Sequence, residues 1–274
     1  MARVSDGSAV GGMSYRFCEV DSSDGVFVVT INRPERRNAL NRSASFELHE
    51  VFEEFERGPE HRVAIITGAG DKAFCAGADL KSTEERTSLE DAVPASGFGG
   101  LTDRFDRAKP VIAAVNGFAM GGGFEIALAC DLVIAADGAS FGLPEPRRGL
   151  VAGSGGIQRL IREIGPKRAN AILLTGRHVS ATEAEELGFV NEVVPGEHLL
   201  ETARRYAREM LECSPTALRA VMATARSLEG RTVQESMKGM WQVPAVQAVF
   251  VSPDATEGPR AFAERRAPRW SAPS

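Results

Sequence analysis

The chain has 274 residues, of which 43% are hydrophobic and 25% are charged, and its formal net charge is −5 at pH 7. This length and apolar content suffice for one large domain with a well-buried core, or for one domain with a helical extension. An acidic chain has no overall attraction for nucleic acid or for anionic lipid, so we expect neither a nucleic-acid nor a membrane partner.

Cysteine and histidine spacing gives no indication of a disulfide framework or of a metal site. The chain has four cysteines without any C-x-x-C pair, and its four histidines show no metal-ligand spacing. We interpret the cysteines as reduced thiols and expect a cytoplasmic protein without a metal. Residues 1–14 are rich in Gly and Ser and lack the apolar region of a signal peptide, so a mobile tail is predicted there.

Strand and helix patterns alternate after this tail. Residues 26–31 and 63–68 are rich in β-branched side chains and end at turn formers, which predicts two strands. Between them, residues 43–57 place apolar side chains at helical spacing. The alternation continues through residues 111–130 and 131–136, a pattern typical of α/β layering.

The last part of the chain contains only helical patterns. They extend from about residue 198 and are separated by Pro215 and Gly230. We therefore predict an α/β core over residues 15–197, followed by a helical region over residues 198–274.

Residues 111–130 form the longest apolar stretch, and Glu125 is the only ionisable residue between its two ends. A buried unpaired carboxylate costs several kcal/mol, or its pKa shifts upward. A purely structural alternative is that an acid in a first helical turn complements the helix dipole, which contributes about 0.3–1 kcal/mol. Three glycines precede Glu125, however, and the free N–H groups of a glycine-rich helix start suit an oxyanion. The pattern predicts a proton-transfer group beside a charge stabiliser.

A second acid, Glu145, follows 20 residues later between two prolines. Helix, strand and turn could bring it back to face Glu125, although the spacing alone equally allows a solvated turn residue. Pro146 favours an extended backbone at Glu145, which would affect the direction of its carboxyl group.

Six segments, in order, resemble the enoyl-CoA hydratase/isomerase (crotonase) superfamily. They are INRPERRNAL, AFCAGADLK, KPVIAAVNGFAMGGGFEIALACDLVIAADGASFGLPE, GLVAGSGGIQRL, LLTGRHVSATEAEELGFVNEVVP and EGPRAFAERRAPRW. The resemblance extends roughly from residue 15 to residue 270. It implies a crotonase-like spiral of ββα units, followed by a C-terminal helical trimerisation region in a homotrimer or homohexamer.

The resemblance also implies an active site. The backbone N–H groups of Ala78 and Gly122 would form an oxyanion hole for a thioester carbonyl. Glu125 and Glu145 would be the catalytic acids, which hold one water between them. We expect Glu145 mainly to transfer the proton at Cα and Glu125 mainly to activate the water.

The same resemblance implies where the acyl-CoA substrate binds. Coenzyme A is part of this substrate, so no separate cofactor is expected. The predicted CoA contacts include arginines of the motif INRPERRNAL, which could instead belong to a solvated surface loop. The segment from residue 82 to 100 corresponds to much of the family's acyl pocket, and it is irregular here. The predicted substrate and CoA contacts are Ala78, Asp79, Leu80, Lys81, Gly121, Arg33 and Arg37.

We expect the chain to add water to a trans-2-enoyl-CoA, or to dehydrate a 3-hydroxyacyl-CoA. The motif PE-x-x-x-GLV-x-x-SGG is also similar to that of carnitinyl-CoA dehydratases, which use the same two acids. A further alternative is a 3-enoyl-CoA isomerase, in which one carboxylate moves the proton and Glu125 has no role. RNA binding, known for an unusual member of the superfamily, needs a lysine-rich helix that this acidic chain lacks.

The C-terminal helices carry an apolar face. Its side chains would be buried either between subunits or against their own domain. They are Met237, Met240, Trp241, Val246 and Phe250.

Overall fold

Two β-sheets form the centre of the molecule. The computed structural model describes residues 15–82, 93–227 and 230–271, so the predicted mobile tail and part of the 82–100 segment lie outside the described residues. The larger sheet has six strands, and the smaller has four.

In the larger sheet, only the first pair of strands is antiparallel. In their order across the sheet, the strands are β1 (Cys18–Ser23), β2 (Val26–Ile31), β3 (Val63–Gly68), β5 (Val111–Val115), β7 (Leu132–Ala136) and β10 (Glu192–Val194). All residues of β3 are buried, as expected for an inner parallel strand covered on both faces, and β2 pairs with β3 along its whole length.

The smaller sheet is built from very short strands, namely β4 (Ala73–Cys75), β6 (Phe118–Met120), β8 (Ser140–Gly142) and β9 (Val179–Ser180). Each of β3, β5 and β7 in the larger sheet is followed along the chain by one strand of the smaller sheet. The chain therefore winds from sheet to sheet as a spiral of strand pairs, which confirms the predicted fold.

Helix α1 (Arg42–Arg57) begins where the side chain of Asn41 accepts the N–H of Ala44, and it buries an apolar stripe that includes Leu48 and Phe52. The other helices before the C-terminal region are α2 (Gly122–Ala129), α3 (Gly156–Ile164), α4 (Pro166–Leu173) and α5 (Ala181–Leu187). Apart from Glu125, helix α2 is apolar on all sides, as its position between the smaller sheet and α3 requires.

The C-terminal helices are α6 (Leu199–Leu211), α7 (Pro215–Ser227), α8 (Val233–Met240), α9 (Pro244–Val251) and α10 (Asp254–Ala263). Helix α6 packs on β3, β5 and β7 through Leu199, Ala203 and Ala207. By contrast, α7 and α9 share a small apolar cluster of their own around Ala220 and Val246. The predicted division after residue 197 stays a prediction, and this packing favours a boundary between α6 and α7.

The predicted apolar face of these helices is only partly covered by its own chain. Val246 is buried and Met240 is half-buried in the small cluster, whereas Met237, Trp241 and Phe250 are exposed. Among the described residues, no helix is both long enough and apolar enough to cross a membrane.

Candidate active site

A cavity of about 370 Å³ lies between the start of α2, the loop of residues 76–82 and the chain that follows β8. Both predicted acids and both predicted amide donors line it. The structure thus brings together Glu125, Glu145, Ala78, Gly122 and Gly121, which come from three separate parts of the sequence.

The backbone of Ala78 is held by a single parallel bridge to Leu40. Leu40 donates its N–H to the carbonyl of Gly77 at 2.9 Å and accepts the N–H of Asp79 at 2.9 Å. In such a bridge the middle residue directs its own N–H away from the partner strand. The N–H of Ala78 consequently has no acceptor among the described residues, and Ala78 is a wall of the cavity.

Gly122 is the first residue of α2, so its N–H has no acceptor within the helix. The neighbouring Gly121 N–H is used, because it donates to the carbonyl of Gly142 at 2.8 Å. The two predicted donors are close to each other, since a β-carbon on Gly77 would lie 3.1 Å from the nitrogen of Gly122. An N–H group at a helix start, with a second free N–H group from the neighbouring loop, forms a suitable site for a negatively charged oxygen.

Glu125 lies in the first turn of α2 and is 3% exposed. Its Oε1 accepts the N–H groups of Ser154 at 2.7 Å and of Gly156 at 2.9 Å. Burial raises the pKa of Glu125 above its ordinary value, the two N–H donors act in the opposite direction, and Glu145 adds to the increase. The N–H donors favour the ionised carboxylate, so this glutamate is both buried and prepared to carry charge.

Glu145 begins a 3-10 turn (Glu145–Arg148) that is separated from the end of β8 by two residues. The expectation that Pro146 holds Glu145 in an extended backbone is therefore wrong, because Pro146 is accommodated at the second position of the turn, where no N–H donor is needed. Oε2 of Glu145 is buried without a hydrogen-bond partner among the described residues. Burial raises the pKa of Glu145, whereas the backbone N–H of Glu145 itself and the charge of Arg148 oppose the increase.

Arg33 and Asp79, two of the predicted CoA contacts, form a buried ion pair. Nη2 of Arg33 lies 3.1 Å from Oδ2 of Asp79, and the two side chains are 11% and 8% exposed. Nη1 of Arg33 donates to the carbonyl of Ala39. This guanidinium is thus engaged inside the protein, at the base of the loop that carries Ala78.

The remaining predicted CoA contacts lie at the surface. Leu80 lines the cavity and is 59% exposed, and Lys81 is exposed between two cavity residues. Arg37 does not line this cavity but a separate hollow of about 200 Å³, together with Lys72. The roles of these residues in binding stay predictions.

Two features of the site were not predicted as functional. The N–H donors to Glu125 come from the loop of residues 154–156, and the ring of Phe98 forms a wall of the cavity. A β-carbon on Gly122 would lie 2.5 Å from Cε1 of Phe98. The Ser-Gly-Gly run before α3 was a usable signal, because a glycine-rich helix start offers free N–H groups to a carboxylate. Within the described ranges, no cluster of three or more His, Cys, Asp or Glu side chains is arranged to hold a metal ion.

Comparison with known proteins places the chain in a family. The profile described as Enoyl-CoA hydratase/isomerase matches residues 21–273. The chain is 44% identical over 247 residues to a carnitinyl-CoA dehydratase of Citrobacter koseri, covering 89% of this chain and 94% of that protein, and the same values hold for that of Proteus mirabilis.

Solved structures agree with this result. The enoyl-CoA hydratase EchA1 of Mycobacterium marinum has a TM-score of 0.85 and 36% identity, covering 94% of this chain and 99% of that one. An enoyl-CoA hydratase of Mycobacterium tuberculosis has a TM-score of 0.86 and 37% identity, with the same coverage. The fold is that of the crotonase superfamily. The chain belongs to the enoyl-CoA hydratase/isomerase family.

Proposed function

We propose that the chain is an acyl-CoA hydro-lyase, which adds water to a trans-2-enoyl-CoA or removes water from a 3-hydroxyacyl-CoA. One observation carries the proposal. A single cavity contains two adjacent main-chain N–H groups that have no acceptor among the described residues, together with the buried Glu125 and the half-buried Glu145, both of which have raised pKa values. Titratable groups with perturbed pKa values in a cleft are typical of catalytic sites.

The reaction in the hydration direction begins with the thioester carbonyl oxygen held by the N–H groups of Ala78 and Gly122. Glu125 removes a proton from the water as its oxygen bonds to Cβ, and the electron pair of the double bond moves to the carbonyl oxygen. The resulting enolate is stabilised by the two N–H groups, each worth roughly 2.7–4 kcal/mol in comparable sites. Glu145 then donates its proton to Cα.

This sequence requires one proton on the pair of acids before and after turnover. Glu125 accepts the N–H groups of two other residues, whereas Oε2 of Glu145 is buried without a partner in the part of the chain that the structure describes. These surroundings favour a charged Glu125 and a protonated Glu145, which matches their proposed roles. After each turnover, the proton gained by Glu125 returns to Glu145 through exchange with water.

We further propose that the CoA part of the substrate lies along the exposed edge at Leu80 and Lys81. The Lys81 ammonium is available there for a phosphate. Arg33 would contribute indirectly through its ion pair with Asp79. No separate cofactor is needed, because proton transfer and the two amides supply the chemistry. A cytoplasmic location is part of this proposal, supported by the four free cysteines.

The relatives named carnitinyl-CoA dehydratase support dehydration of a substituted 3-hydroxyacyl-CoA as the second candidate. Both candidates use the same two acids in the same roles. Isomerisation of a 3-enoyl-CoA receives less support, because it gives no role to Glu125, which is buried and held by two N–H donors.

We also propose that the chain assembles as a homotrimer or a homohexamer through its C-terminal helices. Met237, Trp241 and Phe250 are between 57% and 67% exposed in one chain, and Trp241 and Phe250 lie with ring centroids 5.8 Å apart. Large apolar groups exposed together mark an interaction surface.

The test is turnover of a panel of CoA esters, which includes crotonyl-CoA, crotonobetainyl-CoA and 3-hexenoyl-CoA. We expect loss of the enoyl absorbance with at least one 2-enoyl ester. Preference for crotonobetainyl-CoA would support the second candidate. Inactivity on every 2-enoyl and 3-hydroxyacyl ester, or conversion of the 3-enoyl ester alone, would contradict a hydro-lyase.

A further inference from the structure

Arg159 of α3 lies beside the cavity without lining it, and its guanidinium spans two separate loops. Nη1 donates to the carbonyl of Ser154 at 3.2 Å, and Nη2 donates to the carbonyl of Thr102 at 2.6 Å. The ring of Phe105 covers the same guanidinium at 5.4 Å from its centroid. Three fixed contacts on one planar group define its position closely.

The first of these loops holds Glu125. Ser154 donates its N–H to Oε1 of Glu125 while its carbonyl accepts from Arg159, so one residue connects the two side chains. Gly155 has a φ of +91°, and a β-carbon there would overlap Nη1 of Arg159. The loop can therefore lie flat on the guanidinium only because this residue is glycine.

The second loop holds Phe98. Thr102 is fully buried, and while its carbonyl accepts from Arg159, its Oγ1 accepts the N–H of Phe98 at 2.8 Å. The ring of Phe98 in turn packs against Gly122, whose N–H is a proposed oxyanion donor. Direct contacts thus connect Arg159 to Glu125 through the first loop and to Gly122 through the second.

We propose that Arg159 is a positioning residue, whose guanidinium joins the loop that holds Glu125 to the turn that carries Phe98. This inference rests on the proposed function, because it gives Arg159 a part in the same reaction. Supporting groups of this kind commonly affect activity by 10- to 100-fold when they are removed, although they do not touch the substrate.

The positive charge of Arg159 has a second consequence. Arg159 lowers the pKa of Glu125, whereas Glu145 raises it. The Cys75 thiol in β4, which packs against α2, has a pKa raised by burial to about 12 and stays neutral. Asp103 and Cys130 raise the pKa of Arg159 and Arg107 lowers it, and Arg162 and Glu163 are further charged residues of α3.

Without the cation, Glu125 becomes protonated at a higher pH, so the ionised form that activates water is lost earlier as the pH falls. The acid limb of the kcat/KM profile therefore moves to higher pH. A lysine at this position keeps the charge but cannot bond two carbonyls from one planar group.

The experiment compares Arg159→Met and Arg159→Lys with Arg162→Met, a control at an exposed position of the same helix. With crotonyl-CoA, we expect Arg159→Met to lower kcat about 10- to 100-fold, to change KM less than about threefold, and to move the acid limb upward. We expect Arg159→Lys to keep the acid limb at the wild-type pH while its kcat is lowered, and Arg162→Met to behave as the wild type. An unchanged acid limb in Arg159→Met would overturn the proposal even if kcat falls, because a purely structural loss leaves that limb in place.

A second readout does not depend on turnover. In protein labelled with ¹³C-glutamate, the Glu125 carboxyl resonance is assigned with Glu125→Gln and titrated in wild type and in Arg159→Met. We expect a higher midpoint in the variant, and equal midpoints would overturn the proposal. If the wild type converts no CoA ester, the proposed function fails while this titration still decides the role of Arg159. Arg159→Gln replaces Arg159→Met if that variant does not fold.

Discussion

A β-carbon on Gly121 would lie 2.9 Å from Oε1 of Glu145, so the peptide before α2 and the second proposed acid are in close contact. Gly121 has a φ of +57° and a ψ of −126°, a conformation that residues with side chains rarely adopt. Gly121 therefore allows both the turn that exposes the Gly122 N–H and the close approach of the Glu145 carboxyl group.

We expect Gly121→Ala to lower the free energy of unfolding by about 1–3 kcal/mol, because of backbone strain. The displaced carboxyl group should also lower kcat by about 100-fold, since a misplacement of about 1 Å has this effect. Urea denaturation and crotonyl-CoA turnover measure the two effects. Gly138→Ala is the matched control, because Gly138 is exposed with open space around its α-carbon. Equal losses in both variants would show that the contact with Glu145 is unimportant.

Glu145→Gln should make the protein more stable at neutral pH. Burial raises the pKa of Glu145 above its ordinary value of 4.5. The folded protein then binds more protons than the unfolded chain between 4.5 and the folded pKa, so stability falls as the pH rises through this window. A neutral glutamine avoids this loss. We expect a higher Tm for the variant at pH 8, and a difference that shrinks towards pH 4. A lower Tm at pH 8 would contradict the direction of the pKa shift.

Two roles can be distinguished for Arg33. It either positions a loop through its ion pair with Asp79 or binds a CoA phosphate directly. If Arg33 positions the loop that carries Ala78, Arg33→Met lowers kcat for a CoA ester and for a pantetheine ester alike. The variant should also lose about 3–5 kcal/mol of stability, because Asp79 is left buried and unpaired. Lys81→Met is the comparison, and it should raise KM for the CoA ester alone. A loss confined to the CoA ester in Arg33→Met would instead support direct phosphate binding.

Exposed aromatic side chains on the C-terminal helices predict an assembly. Trp241→Glu and Phe250→Glu place a charge in the proposed interface, so we expect sedimentation velocity to show a shift towards the 29.3 kDa monomer. Leu200→Glu, at an exposed apolar residue of α6, serves as a control and should leave the assembly intact. Wild-type protein that sediments as a monomer would contradict the assembly proposal.

Much of the fold follows from the sequence. Strands β2 and β3 were predicted with the observed ends, because inner parallel strands are continuous runs of β-branched residues that stop at turn formers. Helix α1 was predicted to within one residue at its start. The strands of the smaller sheet have two or three residues and show no period, so only their pairing with distant strands defines them.

The site was less accessible to prediction. Glu125 was recognisable because a lone acid in an apolar stretch needs an explanation. Its N–H donors were not, because Ser154 and Gly156 contribute backbone groups from 29 and 31 residues away. The ion pair of Arg33 with Asp79 spans 46 residues in the sequence. No local pattern encodes such contacts, so the arginine was predicted to bind CoA from its motif alone.

The central claim is that Glu125 and Glu145 act as one unit on one proton and one water. The most direct test measures kcat for crotonyl-CoA hydration in Glu125→Gln, Glu145→Gln and the double variant. We expect each single substitution to lower kcat by about 100-fold or more, and the double variant to be hardly slower than either single variant. Full turnover by either single variant, or losses that simply multiply in the double variant, would contradict it.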